Sequence, residues 1–473
     1  MSITEPSARL NRRVIAVTIG AAFGGFLFGF DSSVINGAVD SIQGEFALSE
    51  GVTGFVVASA LLGCAVGAWF AGTVANRYGR IRVMTISAVI FFISAIGSGL
   101  AFAVWDLVLW RMLGGLAIGA ASVIAPAYIA EIAPAKFRGR LGSLQQMAIV
   151  LGIFAALLSD QVLATKAGGA SQPLWLGIEA WRWMFIVAVI PAVIYGVAAR
   201  GLPESPRYLV GKGQPEVAGD ILRDVTGEAD VAGKIADIEE SLGTEREQRV
   251  ADLRGPRFGL QSIVWVGIIL AMLQQLVGIN VIFYYSTTLW QSVGFDESDA
   301  FLTSTITSIT NIVVTIVAIM LVDRIGRRKL LLTGSVGMTI ALTAMAVAFS
   351  HAIVDSAGET ALQGGWAVTA LLGANLFVVF FGMSWGPVVW VMLGEMFPNR
   401  IRAVALAVAA AAQWLANFAV TMTFPVLADA SLTLAYGFYA LMAFLSLLFV
   451  WRKVRETNGV ELEDMGTAEL QRA

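Results

Sequence analysis

The sequence predicts an all-α membrane protein: twelve transmembrane helices in two pseudo-symmetric six-helix bundles, with short cytoplasmic linker helices between them. Three observations carry that expectation. Hydrophobic residues make up 57% of the 473-residue chain and charged residues 14%, against about 25% charged in soluble domains, and mean hydropathy is +0.76. Apolar stretches near the ~20 residues a helix needs to cross a bilayer recur at 14–36, 52–75, 83–104, 107–130, 142–164, 182–201, 262–289, 300–322, 330–351, 366–393, 403–428 and 432–451. Two motifs also repeat in order: NRYGRIR at 76–82 with DRIGRRK at 323–329, and EIAPAKFRGR at 131–140 with EMFPNRIRAV at 395–404. Their offsets of 247 and 264 residues are close, as duplication of a six-helix unit requires.

Helices this apolar on every side read as membrane spans rather than as a water-facing bundle. The first follows the polar leader MSITEPSARLNRR with no small-residue cleavage site, so it is expected to be a retained helix and not a removed signal peptide. Spans one to six give a first bundle over 1–201. The charged segment 202–260 contains the helix-periodic pieces EVAGDILRDV and VAGKIADIEESL and links the halves. A second bundle covers 261–453, and 454–473 is a tail. Lys and Arg concentrate at alternate connections: Arg9, Arg12 and Arg13; Arg77, Arg80 and Arg82; Lys136, Arg138 and Arg140; Arg324, Arg327, Arg328 and Lys329; Arg400 and Arg402; Arg452, Lys453 and Arg455. Of the intervening connections only the one after span five has a positive charge, Lys166. Positive loops stay cytoplasmic, so both termini are expected inside a multi-pass protein of the cell (plasma) membrane.

Composition also excludes. The single cysteine, Cys64, lies inside span two, and the single histidine, His351, at the end of span nine. Disulfides within the chain and cysteine- or histidine-based metal sites are therefore ruled out, and no metal or other cofactor is expected. The basic clusters mark topology and lipid headgroups rather than nucleic acid. No nucleophile–base set supports an enzyme. Gly211-Lys212 lacks the phosphate-cradling spacing of an ATP-driven pump.

An ionisable side chain at bilayer depth is expensive and marks a site by default. Asp31 lies in span one and Arg111 in span four, each the one deep ionisable residue of its span. Pairing lowers the desolvation cost of both, whereas isolating the carboxylate favours its proton-bound form. The pair can thus act as a proton switch, or remain a static ion pair. Amides and indoles form a second group: Gln145 and Gln146 in span five, Gln274, Gln275 and Asn280 in span seven, Asn311 in span eight, Trp390 in span ten, and Gln413, Trp414 and Asn417 in span eleven. Amides that both donate and accept, with flat aromatic faces beside them, suit a neutral ligand rich in hydroxyls. Interhelical hydrogen bonding is the plainer use of such residues.

Glu131 and Glu395 stand at helix ends, with Arg138 and Arg402 seven residues on, past a proline. These acids and arginines are expected to form cross-bundle ion pairs that close the inner mouth. Exposed pairs are worth ~0–1 kcal/mol each, which suits a gate that opens repeatedly. Plain topology determinants are the alternative.

With these residues in place, the chain resembles the sugar porters of the major facilitator superfamily, bacterial xylose–proton symporters in particular, over nearly its whole length. The motifs are GGFLFGFD at 24–31, NRYGRIR, RMLGGLAIGAASVIAPAYIAE at 111–131, LPESPRYL at 202–209, QQLVGINVIFYY at 274–285, VDRIGRRKLL at 322–331, WGPVVWVMLGEMFP at 385–398 and AAQWLANF at 411–418. The resemblance implies alternating access around a central monosaccharide site. It implies that Gln146, Gln274, Gln275, Asn280, Trp390 and Gln413 contact sugar hydroxyls, with Phe28 and Asn311 nearby; Trp414 joins them on the residue reading above. It also implies that the PESPR segment, with Glu204 and Arg207, joins Arg77, Arg80, Glu131, Arg138, Asp323, Arg327, Glu395 and Arg402 at an intracellular gate. Facilitative relatives tend to carry Asn where proton-coupled members carry Asp, and here the residue is Asp31. Departures are Asn76 for the usual Asp of the first loop motif, Ala403 for Gly, Ile153 for a polar residue, and RETNG at 455–459 for PETKG. The expected partners are a monosaccharide, glucose or xylose foremost, a proton and the lipid bilayer, with a monomer as the working unit. A uniporter in which Asp31 is only structural is the close alternative, and a non-transporting sugar sensor a more distant one.

Overall fold

The apolar stretches fold as helices almost throughout. The computed structural model describes residues 12–133, 138–228, 230–244, 250–256, 258–354, 360–362, 364–398 and 401–457. The first half contains α1 (Arg12–Val34), α2 (Val39–Glu45), α3 (Glu50–Tyr78), α4 (Arg80–Gly99), α5 (Val104–Ile132), α6 (Arg138–Ala167), α7 (Ala180–Val187) and α8 (Val189–Arg200). Linker helices α9 (Pro206–Gly211), α10 (Pro215–Ile221) and α11 (Val231–Thr244) follow. The second half has α12 (Ser262–Leu276), α13 (Ile279–Tyr284), α14 (Ser286–Gln291), α15 (Glu297–Ile325), α16 (Arg327–Phe349), α17 (Gly365–Phe380), α18 (Gly386–Met396) and α19 (Arg402–Lys453). A two-residue antiparallel pairing of Ile353–Val354 with Thr360–Ala361 is the only strand pair among the described residues.

Among the described residues, eleven helical stretches are long and apolar enough to cross a bilayer. The last is two spans joined end to end: α19 runs 52 residues, and its backbone leaves the helical region at Ser431 (φ −176°, ψ 117°), between the two stretches read from the sequence. Span seven is broken instead of continuous. Gly278, at φ +84°, separates α12 from α13, and Tyr285 separates α13 from α14. Span ten is interrupted by a π-helical turn at Phe381–Trp385, a local widening that is common at functional sites.

Within the first half α1 packs on α6 and α5, and α3 on α5; in the second, α12 and α16 pack on α19. The halves meet where α3 lies against α19 and α6 against α15. Lipid removes most of the hydrophobic drive for helix association, so close backbone approach at small residues matters. At the α1–α6 crossing a Cβ on Gly29 would overlap the carbonyl of Ile149, and one on Gly152 the carbonyl of Phe26. Large apolar side chains such as Phe70, Ile340 and Leu372 are exposed on the outer surface, as helices facing lipid require. The linker helices bury a small cluster of their own, Leu209, Val210 and Ala218 under Ile235, Ile238 and Leu242.

Candidate functional site

Asp31 and Arg111 meet. One guanidinium nitrogen, Nη1, donates to Asp31 Oδ1 at 3.0 Å and to the Asp31 carbonyl at 3.4 Å. The side chains are 11% and 2% exposed respectively. Arg111 Nε is buried without a hydrogen-bond partner, and the guanidinium lies 5.7 Å from the centre of the Phe185 ring. The pair borders a cavity of about 10 Å³ lined by Phe28, Ser32, Cys64 and Tyr284 among others, room for about one water and far too little for a monosaccharide.

Phe28 stands one turn before Asp31 on α1, and its ring meets Trp414 of α19 edge-on at 5.6 Å. Tyr284 of α13 lines the same small cavity as Ser32 of α1, a second place where the halves meet. Any displacement of α1 around the ion pair is therefore felt by two contacts that cross between the halves. Behind them, Gln413 donates to Gln274 at 2.5 Å, while Gln274 donates to the carbonyls of Trp385 and Gly386 at 2.7 and 3.2 Å. Gln274 thus satisfies backbone oxygens at the end of the π turn. Asn280 donates to Gln275 at 2.6 Å, and Asn311 is buried beside Gly382 of the same turn. Gln146 is half-buried on α6 and Trp390 is 40% exposed on α18; neither joins these bonds. Gln413 Oε1 is buried and unpartnered, an acceptor lacking a donor in this conformation.

The face carrying the arginine motifs is built twice. In the first half Arg80 makes a two-pronged pair with Glu131, at 2.8 and 3.1 Å, while Glu204 accepts the amides of Arg80 and Ile81 at 3.0 and 3.3 Å. In the second, Arg327 pairs with Glu395 at 3.0 and 3.3 Å, and Glu456 accepts the amides of Arg327 and Arg328 at 2.8 and 3.1 Å. Gly79 (φ +97°) and Gly326 (φ +93°) precede these helices; a Cβ at either would collide with the capping carboxylate as well as strain the backbone. Among the described residues, neither Glu131 nor Glu395 makes the expected pair with an arginine across the bundles. Glu131 and Glu395 each take an arginine of their own half, 51 and 68 residues away in sequence, because the duplicated loop turns that arginine inward. Arg402 donates to the Phe397 carbonyl at 3.0 Å, Arg207 to Ser241 of α11 at 3.3 Å, and Arg77 is exposed beside Tyr78. The side chains of Arg138 and Asp323 lie outside the described residues.

Bonds between the halves gather at the opposite face. Asn36 donates to Ser286 at 3.2 Å and accepts from the Thr287 amide at 3.1 Å, and the Thr287 hydroxyl donates to the Asn36 carbonyl at 2.6 Å. Thr288 and Gln291 donate to Asp40 at 2.8 and 3.2 Å. Ala170 donates to Glu297 and Thr305 to Gln161, each at 2.8 Å. Sequence reasoning passed over this junction, along with Tyr284, Ser32 and Glu456. The one available signal was the correspondence of PESPR with RETNG, which matches Glu204 to Glu456.

Two duplicated bundles, latched at one face and enclosing a buried ion pair beside an amide network, define a secondary transporter. The family model described as "Sugar (and other) transporter" matches residues 17–468. The chain belongs to that family, among the sugar porters of the major facilitator superfamily. It is 54% identical to a "Glucose transport protein" of Synechocystis sp., over 96% of this chain and 97% of that one. It is 38% identical to a "D-xylose-proton symporter" of Escherichia coli strain K12, over 96% and 95%. The inward open structure of the xylose transporter XylE from E. coli superimposes with a TM-score of 0.81 at 36% identity, covering 96% of this chain and 99% of that one. XylE bound to 6-bromo-6-deoxy-D-glucose superimposes with a TM-score of 0.79 at 37% identity, over 97% and 100%.

Proposed function

We propose that this chain imports a neutral monosaccharide, glucose or xylose, in symport with a proton by alternating access, and that Asp31 and Arg111 couple the two. The observation that carries the reading is the 3.0 Å ion pair, placed one helical turn from Phe28, whose ring touches Trp414 across the halves. A proton arriving at Asp31 neutralises the carboxylate and releases Arg111, and a buried guanidinium that loses its counter-charge must find another or move. The movement is carried by α1 to the Phe28–Trp414 contact and to the cavity that Ser32 shares with Tyr284, and so to the amides that would hold the sugar. Gln146, Gln274, Gln275, Asn280, Asn311, Trp390 and Gln413 supply donors, acceptors and an indole face for hydroxyls, and no arginine outside the pair is needed for an uncharged ligand.

The arginine-rich face is the cytoplasmic one on this reading, with both termini inside the plasma membrane and 1–201 and 261–453 as rocking bodies joined by 202–260. Arg80, Glu131, Glu204, Arg327 and Glu395 brace the inner gate within each half; Arg77, Arg138, Arg207, Asp323 and Arg402 complete its charges. A single chain contains every part, so a monomer suffices. The test is a proteoliposome with an imposed pH gradient. Wild type should accumulate sugar against its gradient, and Asp31→Asn should retain exchange while losing accumulation. Sugar flux indifferent to the pH gradient in wild type would instead mean a uniporter with a structural Asp31.

A further inference from the structure

Asp160 lies near the end of α6 that faces the junction. It is fully buried, at 0% exposure, and neither carboxylate oxygen has a hydrogen-bond partner. The Gly37 amide is the backbone donor directed at it, and it falls short of hydrogen-bond geometry. The packing there is tight: a Cβ on Gly37 would sit 2.9 Å from Asp160 Cβ, 2.8 Å from Met184 Sδ and 2.9 Å from Phe301 Cε1. Those neighbours come from the turn after α1, from α7 and from α15 of the second half, and none is ionisable. Among the described residues Asp160 forms no ion pair. Asp31 differs in this respect, since Arg111 serves it.

An ionised carboxylate buried without a partner is very costly, whereas a carboxylic acid is far cheaper. The residues on either side tie the two halves together: Asn36, next to Gly37, bonds Ser286 and Thr287, and Gln161, next to Asp160, accepts from Thr305. Parting the halves would carry away Phe301 and Thr305 and admit water to the carboxyl. Burial of this acid and closure of the junction are therefore one event.

We propose that Asp160 is a second proton-binding site of the chain, occupied while the junction at the opposite face is closed and emptied when that face opens. The gating half of this statement rests on the alternating-access reading; the proton-binding half does not. Closure then takes up a proton, so it is favoured as pH falls on that side and lost as pH rises.

Infrared spectra of the purified full-length protein, taken without sugar in an Asp31→Asn background, test the site directly. A carbonyl stretch of a protonated carboxyl should be present at neutral pH, vanish in Asp160→Asn and shift in Asp160→Glu. The glutamate variant retains an acid if the amide variant fails to fold. Spectra with no band sensitive to either substitution would overturn the proposal. Sugar exchange measured at a series of external pH values tests the gating half. The closed-state preference at low pH should flatten at least severalfold in Asp160→Asn, and a profile unchanged from wild type would overturn it. Absence of all sugar transport would count against the transport reading alone, because the infrared result stands apart from it.

Discussion

Glu456 accepts the backbone amide of Arg327 at 2.8 Å, repeating at the start of α16 what Glu204 does for Arg80 at the start of α4. Each carboxylate takes two amides of a helix N-terminus, where the helix dipole favours negative charge. Glu456→Gln should lower stability by roughly 1.5–3 kcal/mol, the scale of hydrogen bonds to a charged group. The same change at Glu204 should add to it within about 0.5 kcal/mol, since the sites share no partner. Thermal melting of the single and double variants in detergent reads both numbers; strong non-additivity would show that the two caps work as one unit.

Removing Arg111 strands Asp31. Breaking a buried pair by deleting one partner costs about 3–5 kcal/mol, so Arg111→Leu should melt well below wild type. Combining it with Asp31→Asn should recover much of the loss, because no buried charge is then left uncompensated. A double variant as unstable as Arg111→Leu would mean that the arginine acts through its packing on Phe185 and not through the ion pair.

The glutamines of α12 should separate. Gln274 holds the carbonyls of Trp385 and Gly386, so Gln274→Leu should lower the melting temperature as well as sugar affinity, unsatisfied buried carbonyls costing about 1–3 kcal/mol. Gln275 bonds only Asn280 among the described residues, so Gln275→Ala should weaken binding with the fold retained. Titration calorimetry beside melting curves distinguishes the two outcomes.

Opening at the opposite face should depend on pH through Asp40. Asp40 is exposed to solvent, and Thr288 and Gln291 of the other half bond its carboxyl, so the protein side of the junction sets its environment. Burial pushes it up to about 6, the Thr288 hydroxyl opposes that, and Glu297 and Glu50 add to it. In the open state, with water around it, the carboxyl should titrate near the ordinary ~3.9. The closed state then binds the proton more tightly, so closure is favoured below about 6 and that contribution is lost as pH rises through about 6. Spin labels across the junction in wild type and Asp40→Asn should show the pH-dependent distance change shrink in the variant; identical profiles would remove Asp40 from the gate.

Much of this protein is written in local composition. Twelve apolar runs, alternating basic connections and two repeated motifs determined the fold class, because a backbone in hydrocarbon has few ways to satisfy its hydrogen bonds and helices are the one open to such runs. Asp31 and Arg111 were legible for a related reason: deep charges are rare, and with one acid in span one and one base in span four, each costly alone, pairing is strongly favoured. Only the tertiary structure decided what depends on which helices touch. It placed Glu131 on Arg80 and Glu395 on Arg327 instead of across the bundles, broke span seven at Gly278, brought Asn36 to Ser286 across 250 residues, and enclosed Asp160 with no partner. Hydropathy reports the solvent that each residue prefers, while partnership between distant residues is set by how helices cross, and a one-dimensional pattern does not hold that information.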